Sequence, residues 1–456
     1  MAPLTKAFSR IPMLLLLLVV AATFILPSVP QAVQTYDYNG ADTAWMLSAT
    51  ALVLLMTPGL AFFYGGMVRK KNVLSTMLQS FICMAIVTVL WVVFGFSLAF
   101  GESVGGVFGN PLTYFMMDGV IDGAPWPAAP TIPLLLFAMF QLKFAIITPA
   151  LITGAFAERI RFISYTLFTV LFFIFIYAPL AHATWHPDGI LFNLGVLDFA
   201  GGTVVHMSAG WAALASAIFL KRRYDANHAP AHIPYVMLGT GLLWFGWFGF
   251  NAGSAMGANP LAVVALATTT TASASAALGW IFFDALRGRK PSAMGTCIGA
   301  VVGLVAITPA AGFVTIPHSL AIGVIAAVVS NLVMEWRTTR SKLDDTLDVF
   351  PCHGVGGMVG MLLTGVFASQ AINPAIEVGN GLIFGEYKLF LIHLVTLIGV
   401  SVFAFGGSWL LLKLTDLITP LRVTQEEEAI GLDLSQHNES LDQEEPERVA
   451  EPFVVA

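Results

Sequence analysis

Between residues 43 and 414 the chain alternates long apolar stretches with short polar connections. Runs of about 20 apolar residues are long enough to cross a bilayer as helices. They fall at 43–66, 73–100, 131–155, 162–184, 199–220, 233–255, 261–285, 292–309, 318–336, 349–369 and 387–414, the run at 292–309 being the least pronounced. The pattern predicts an all-α polytopic membrane protein with eleven transmembrane helices. An earlier run, "MLLLLLVVAATFIL", has a different character. Lys6 and Arg10 precede it, and the small-residue stretch "PSVPQA" follows. That order is expected of a cleavable secretory signal ending near Ala32, with an uncleaved extra helix as the alternative. The chain divides accordingly into a signal peptide (1–32), a membrane domain (33–417) and an acidic cytoplasmic tail (418–456).

Composition agrees with the pattern. With 57% hydrophobic and 11% charged residues, the chain lacks the charge that a soluble surface needs. Its formal net charge of −6 comes from the tail, where ten acidic residues between Glu426 and Glu451 face Arg448 alone. The remainder is slightly basic and shows no nucleic-acid footprint. Basic residues gather at Arg69–Lys71, Arg159 and Arg161, Lys221–Arg223, Arg287–Lys290 and Arg337–Lys342, which follow spans one, three, five, seven and nine. The positive-inside rule then places the N-terminus outside and the tail inside. Spans one to five start outside and six to ten inside, a pattern compatible with inverted five-helix repeats plus one extra helix; transporters often run their substrate between such halves. Cys83, Cys297 and Cys352 lie in apolar segments without zinc-type spacing, so neither disulfides nor a metal is expected.

In such a chain the rare polar groups within the spans carry the chemistry, since each is costly unless paired or placed in a cavity. Asp198 opens the fifth span, where a carboxylate can cap free N–H groups, and His206 lies about 12 Å further in. His353 rises from the opposite side on the tenth span. Either histidine alone reads as a satisfied core ring. Two of them on oppositely directed fifth helices read as a pair, able to share one proton between ring nitrogens. Phe140 and Phe144 share one face of the third span, Trp185 ends the fourth, and Trp247, Phe250 and Ser254 fall on the sixth. Membrane aromatics are usually packing or interfacial anchors. A cluster with one hydroxyl nearby also suits a small cation, attracted to the π faces and donating one hydrogen bond. These residues justify a conductor of small cations or small neutral molecules, and nothing finer.

Five segments together resemble the ammonium transporter family (Amt/Mep/Rh), in its bacterial Amt form: "PGLAFFYGGMVRKKN" (58–72), "FQLKFAIITPALITGAFAERIRF" (140–162), "LDFAGGTVVHMSAG" (197–210), "GWFGFNAGSA" (246–255) and "DDTLDVFPCHGVGGMVG" (344–360). They cover nearly the whole membrane core, in family order. The resemblance implies a homotrimer in the bacterial cytoplasmic membrane with a pore in each subunit, taking ammonium and its analogue methylammonium without a cofactor. It implies an external recruitment site of Trp185, Phe144 and Ser254, shaped by Asp198, with Phe140 and Gln141 in the same vestibule. Phe144 and Phe250 would form the gate, and His206 and His353 would be the paired pore histidines. Lys143 departs from the family pattern, which has a small or apolar residue there. Either it snorkels or contacts a subunit interface, or it sets a fixed positive charge near the recruitment site.

The tail segment "LRVTQEEEAIGLDLSQHNES" (421–440), with Gly431, is similar to the regulatory tail of bacterial Amt proteins. That resemblance implies contact with a neighbouring subunit and docking of a trimeric PII-type signalling protein; the plain alternative is a solvated acidic tail. Two other functions compete with transport. An ammonium sensor on the same fold would be expected to carry an output domain, and about 40 residues after the last span cannot encode one. An enzyme would need a nucleophile–base set or a metal cluster, and neither is visible.

Overall fold

A helix that is apolar around its whole circumference has no face for water and must be buried in protein or turned to lipid. The computed structural model describes residues 11–25, 36–225 and 229–441. Ten helices in it are long and apolar enough to cross a membrane: α1 (Gly40–Met67), α2 (Lys70–Phe100), α3 (Leu134–Phe156), α4 (Phe162–Trp185), α5 (Gly202–Leu220), α6 (Ile233–Gly253), α7 (Pro260–Leu286), α9 (Ile316–Arg340), α10 (Phe350–Phe367) and α11 (Lys388–Ile418). Between α7 and α9 lies α8 (Ala293–Ile307), only 15 residues long. It occupies the run expected at 292–309, and nearly all of it is buried among its neighbours. Surrounded by protein, it does not have to match the lipid thickness. A separate helix, Ile11–Ile25, covers the apolar part of the expected signal peptide; the cleavage point near Ala32 lies outside the described residues.

α1 runs along α6, and α7 runs against both α8 and α9. The α1–α6 seam is glycine-lined: a Cβ on Gly239 would stand 2.3 Å from the Phe63 nitrogen, and one on Gly59 2.9 Å from the Leu242 Cβ. Small residues let backbones approach where the hydrophobic effect offers little between helices in lipid. One departure from all-helical structure occurs in the connection between α2 and α3, where Ser103–Val104 pairs antiparallel with Phe108–Gly109.

Charge collects at the face that bears the tail. Glu158, fully buried with φ +71°, pairs with Arg69 at 2.8 Å and Arg223 at 2.7 Å. Arg223 also binds Asp344 at 2.9 Å, and buried Arg159 donates to Thr346 Oγ1 and the Asp344 carbonyl. Burial pushes the Glu158 carboxyl up, but Arg223 and Arg69 together hold it below its ordinary range. Asp344 is likewise raised by burial and then pulled down by Arg223 and Arg159, to about 2.

The tail docks on this face through two short helices, α12 (Gln425–Ile430) and α13 (Leu432–His437). Thr424 and Glu427 form a capping box at the start of α12. Glu428 accepts from the Tyr224 N–H at 2.6 Å and pairs with Arg422 at 2.9 Å. The Asp433 carboxylate accepts the Leu74 and Ser75 N–H groups at 3.1 and 2.7 Å, capping α2. Gly431 sits at φ +109°, and a Cβ there would stand 2.6 Å from Lys71. Residues 421–438 are thus packed on the body of their own chain, which a freely solvated tail would not be.

Removing one partner from a buried ion pair leaves a charge uncompensated, typically at a cost of about 3–5 kcal/mol. Glu158→Gln should therefore lower the thermal unfolding midpoint of the purified protein by several degrees. An unchanged midpoint would show that the network adds no stability. Asp344 has a depressed folded-state pKa, so its contribution is present above its ordinary value of 3.8 and is lost as pH falls through about 2. The midpoint should accordingly drop on acidification across that window, and by less in Asp344→Asn.

Candidate functional site

The site begins where α5 begins. Gly201, at φ +111°, turns the chain into a π-helical segment, Gly202–Met207, before regular helix continues. Such wide turns leave backbone groups for outside partners and recur at functional sites. The Asp198 carboxylate supplies those partners. It accepts from the N–H groups of Gly201 (2.8 Å), Gly202 (2.5 Å), Thr203 (2.8 Å) and Val204 (3.3 Å), and from the Thr203 hydroxyl. Its oxygens are spent on the helix start. The Asp198 carbonyl accepts from Trp185 Nε1 at 3.1 Å, fixing the indole over this turn.

α10 repeats the device from the other side. It too starts as a π-helical segment, Phe350–Val355, and its cap is Asp345, whose carboxylate accepts the Phe350 N–H at 2.7 Å. Asp198 precedes His206 by eight residues, and Asp345 precedes His353 by eight. Sequence reading missed Asp345, although this shared spacing was visible. The nearer Asp348 distracts from it, but that residue sits at φ +55° and is bound to Arg337 at 2.5 Å.

α5 and α10 cross with their backbones in contact. A Cβ on Gly210 would lie 2.1 Å from the Gly354 nitrogen, so any larger residue would push the helices apart. The crossing brings the two expected histidines together: Nδ1 of His206 and Nδ1 of His353 are 3.3 Å apart, with the rings 17° from parallel. A hydrogen bond between two such nitrogens needs one N–H and one lone pair, so the pair shares a single proton. Both rings are buried and line a narrow cavity whose other walls, including Leu60, Ile147, Leu243, Trp247, Phe250 and Val301, are apolar. Trp247 stacks on His206 at 5.3 Å and directs its N–H away, to Thr308 Oγ1 at 2.9 Å.

An aromatic column leads to this cavity. Phe250 stacks on Phe144 at 4.2 Å between centroids, and Phe144 meets Trp185 edge-on at 5.9 Å and Phe140 at 5.0 Å. Half-buried Ser254 donates its hydroxyl proton to the Phe250 carbonyl at 2.8 Å, which leaves its oxygen as an acceptor. Gln141 is buried, and its Oε1 has no partner among the described residues. Lys143 lies elsewhere. It shares a stripe of α3 with exposed Leu135 and half-buried Met139, four residues apart in turn, while Phe140 and Phe144 face inward. Among the described residues it forms no hydrogen bond or ion pair. The structure therefore brings together Trp185, Phe144, Phe140, Phe250, Ser254, Asp198, His206 and His353, and leaves Lys143 on the outer face and Gly431 in the tail contact.

A sequence model of the Ammonium Transporter Family matches residues 44–441. The ammonium transporter of Aquifex aeolicus is 46% identical over 402 residues, covering 87% of this chain and 92% of that protein. The crystal structure of Saccharomyces cerevisiae Mep2 superimposes with a TM-score of 0.80 at 33% identity, over 86% of this chain and 89% of that one. A structure described as a sensor Amt protein gives 0.79 at 30% identity, over 87% and 98%. The chain belongs to the ammonium transporter family.

Proposed function

We propose that the protein carries ammonium across the cytoplasmic membrane as separated ammonia and proton, through a path lined by His206 and His353. The observation that carries this is the pair of ring nitrogens 3.3 Å apart in an otherwise apolar cavity. In that cavity a bare monovalent ion would lose its hydration at a large cost. Ammonium avoids part of that cost by giving up its proton, whereas K⁺ has none to give. Trp185 and Phe144 present π faces at the outer mouth, and Ser254, its own proton committed, accepts from an N–H donor. Phe144 and Phe250 close the mouth and must part for passage. The imidazoles, neutral at rest, share one proton between them; the proton that ammonium gives up passes through them as a transient positive charge on a ring, while ammonia crosses uncharged.

In this reading the chain has eleven spans in inverted five-helix halves plus one, α8 being the short eighth, with the N-terminus outside and the tail inside. It assembles as a homotrimer with a pore in each subunit. The docked tail, with Gly431 packed against Lys71, is the surface for regulation by a neighbouring subunit and a PII-type protein. The similarity to a sensor Amt structure keeps open a second reading, in which the same site reports ammonium through the tail.

On a supported membrane the wild type should give current with ammonium and none with K⁺. In His206→Ala the ratio of ammonium to K⁺ current should fall about tenfold or more; unchanged discrimination would remove the role given to the pair. Lys143→Met should leave the apparent ammonium affinity within about twofold of wild type, since half-buried Lys143 lies on the stripe of α3 turned away from Phe140 and Phe144. A clear rise in affinity, read by methylammonium competition, would instead place its charge in the vestibule.

A further inference from the structure

α11 lines neither the aromatic column nor the cavity, yet it carries a fully buried histidine, His393. Its Nδ1 lies 2.8 Å from the Met361 carbonyl oxygen, on α10, and its Nε2 lies 3.1 Å from the Leu197 backbone nitrogen. A carbonyl only accepts, so Nδ1 must carry the proton; a peptide N–H only donates, so Nε2 must offer its lone pair. The two partners thus select the same neutral tautomer. The ring is held at this depth by close helix contact, since a Cβ on Gly365 would stand 3.0 Å from the Phe390 Cα and 3.3 Å from the His393 Cβ.

What the ring joins matters more than its burial. Met361 is on the helix of His353. Leu197 directly precedes Asp198, whose carboxylate caps the start of α5 and whose carbonyl holds Trp185. A single imidazole therefore ties the backbone of one pore-histidine helix to the segment that positions the other and the outer indole. We propose that His393 is a positioning residue for conduction: a neutral strap that keeps the start of α5, with Asp198 and Trp185, in register with α10. It touches neither substrate nor the paired rings. The inference rests on the reading that α5 and α10 line the path.

The test uses the full chain in lipid, with amide hydrogen exchange over residues 195–203 and ammonium flux per folded molecule as paired readouts. His393→Leu removes both bonds, while His393→Gln keeps one donor and one acceptor. The Leu variant should lose protection at Leu197 and lose flux about tenfold, comparable to one lost buried hydrogen bond at the barrier. The Gln variant should restore most of both. Should the Leu variant not fold, His393→Asn, too short to reach both partners at once, should give intermediate flux. Wild-type flux in the Leu or Asn variant, or a folded Gln variant that rescues neither readout, would overturn the strap. Undiminished ammonium-over-K⁺ discrimination in a His206→Ala reference would overturn the reading of the path itself, and the strap's role with it.

Discussion

The two imidazole nitrogens stand 3.3 Å apart on helices that cross with their backbones in contact. Gly210 against Gly354 is what makes the crossing possible, because a Cβ at Gly210 would fall 2.1 Å from the Gly354 nitrogen. Much else follows from that contact. Helices brought so close leave only a narrow space beside the rings, and apolar residues of α1, α3, α6 and α8 close it. Their apolar walls make a stripped cation costly there and leave the shared proton as the polar feature of the lumen.

A crossing of two helices that both begin inside the protein creates a second demand. Each has free N–H groups at a buried start, and in lipid these must be satisfied internally. Asp198 and Asp345 meet the demand with carboxylates set at the same distance ahead of His206 and His353. The π-helical openings of α5 and α10 widen the first turn just where the rings must reach inward. Remaining charge is kept out of the lumen, in the Glu158–Arg223–Asp344 network and the docked tail. There, the Asp433 carboxylate of the tail does for α2 what Asp198 does for α5.

Much of this was legible in the residues. Ten of the expected spans fall on long apolar helices within a few residues, because a membrane imposes length and apolarity on each segment separately. His206 and His353 stood out because ionisable groups are rare in such segments, and the aromatic residues because a cluster of rings with one hydroxyl suits a small cation. The span at 292–309 came out shorter, since hydropathy does not distinguish a helix buried in protein from one matched to lipid. Asp345, the strap through His393 and the exact partners of the tail were not legible. Each depends on a contact between segments far apart in sequence: Leu197 with His393, Arg223 with Asp344, Leu74 with Asp433. Periodicity reports the faces of a helix and is silent about which distant group meets them.

The most direct measurement is of the proton between the rings. Solid-state NMR of ¹⁵N-histidine-labelled protein in lipid resolves protonated from unprotonated ring nitrogens, and the pair is assigned by the signals that change in a His206→Gln variant. The account predicts, at neutral pH, one protonated and one unprotonated Nδ1, linked across a hydrogen bond, with neither ring doubly protonated. A doubly protonated ring in the lumen, or a lone pair on both Nδ1 atoms, would contradict it.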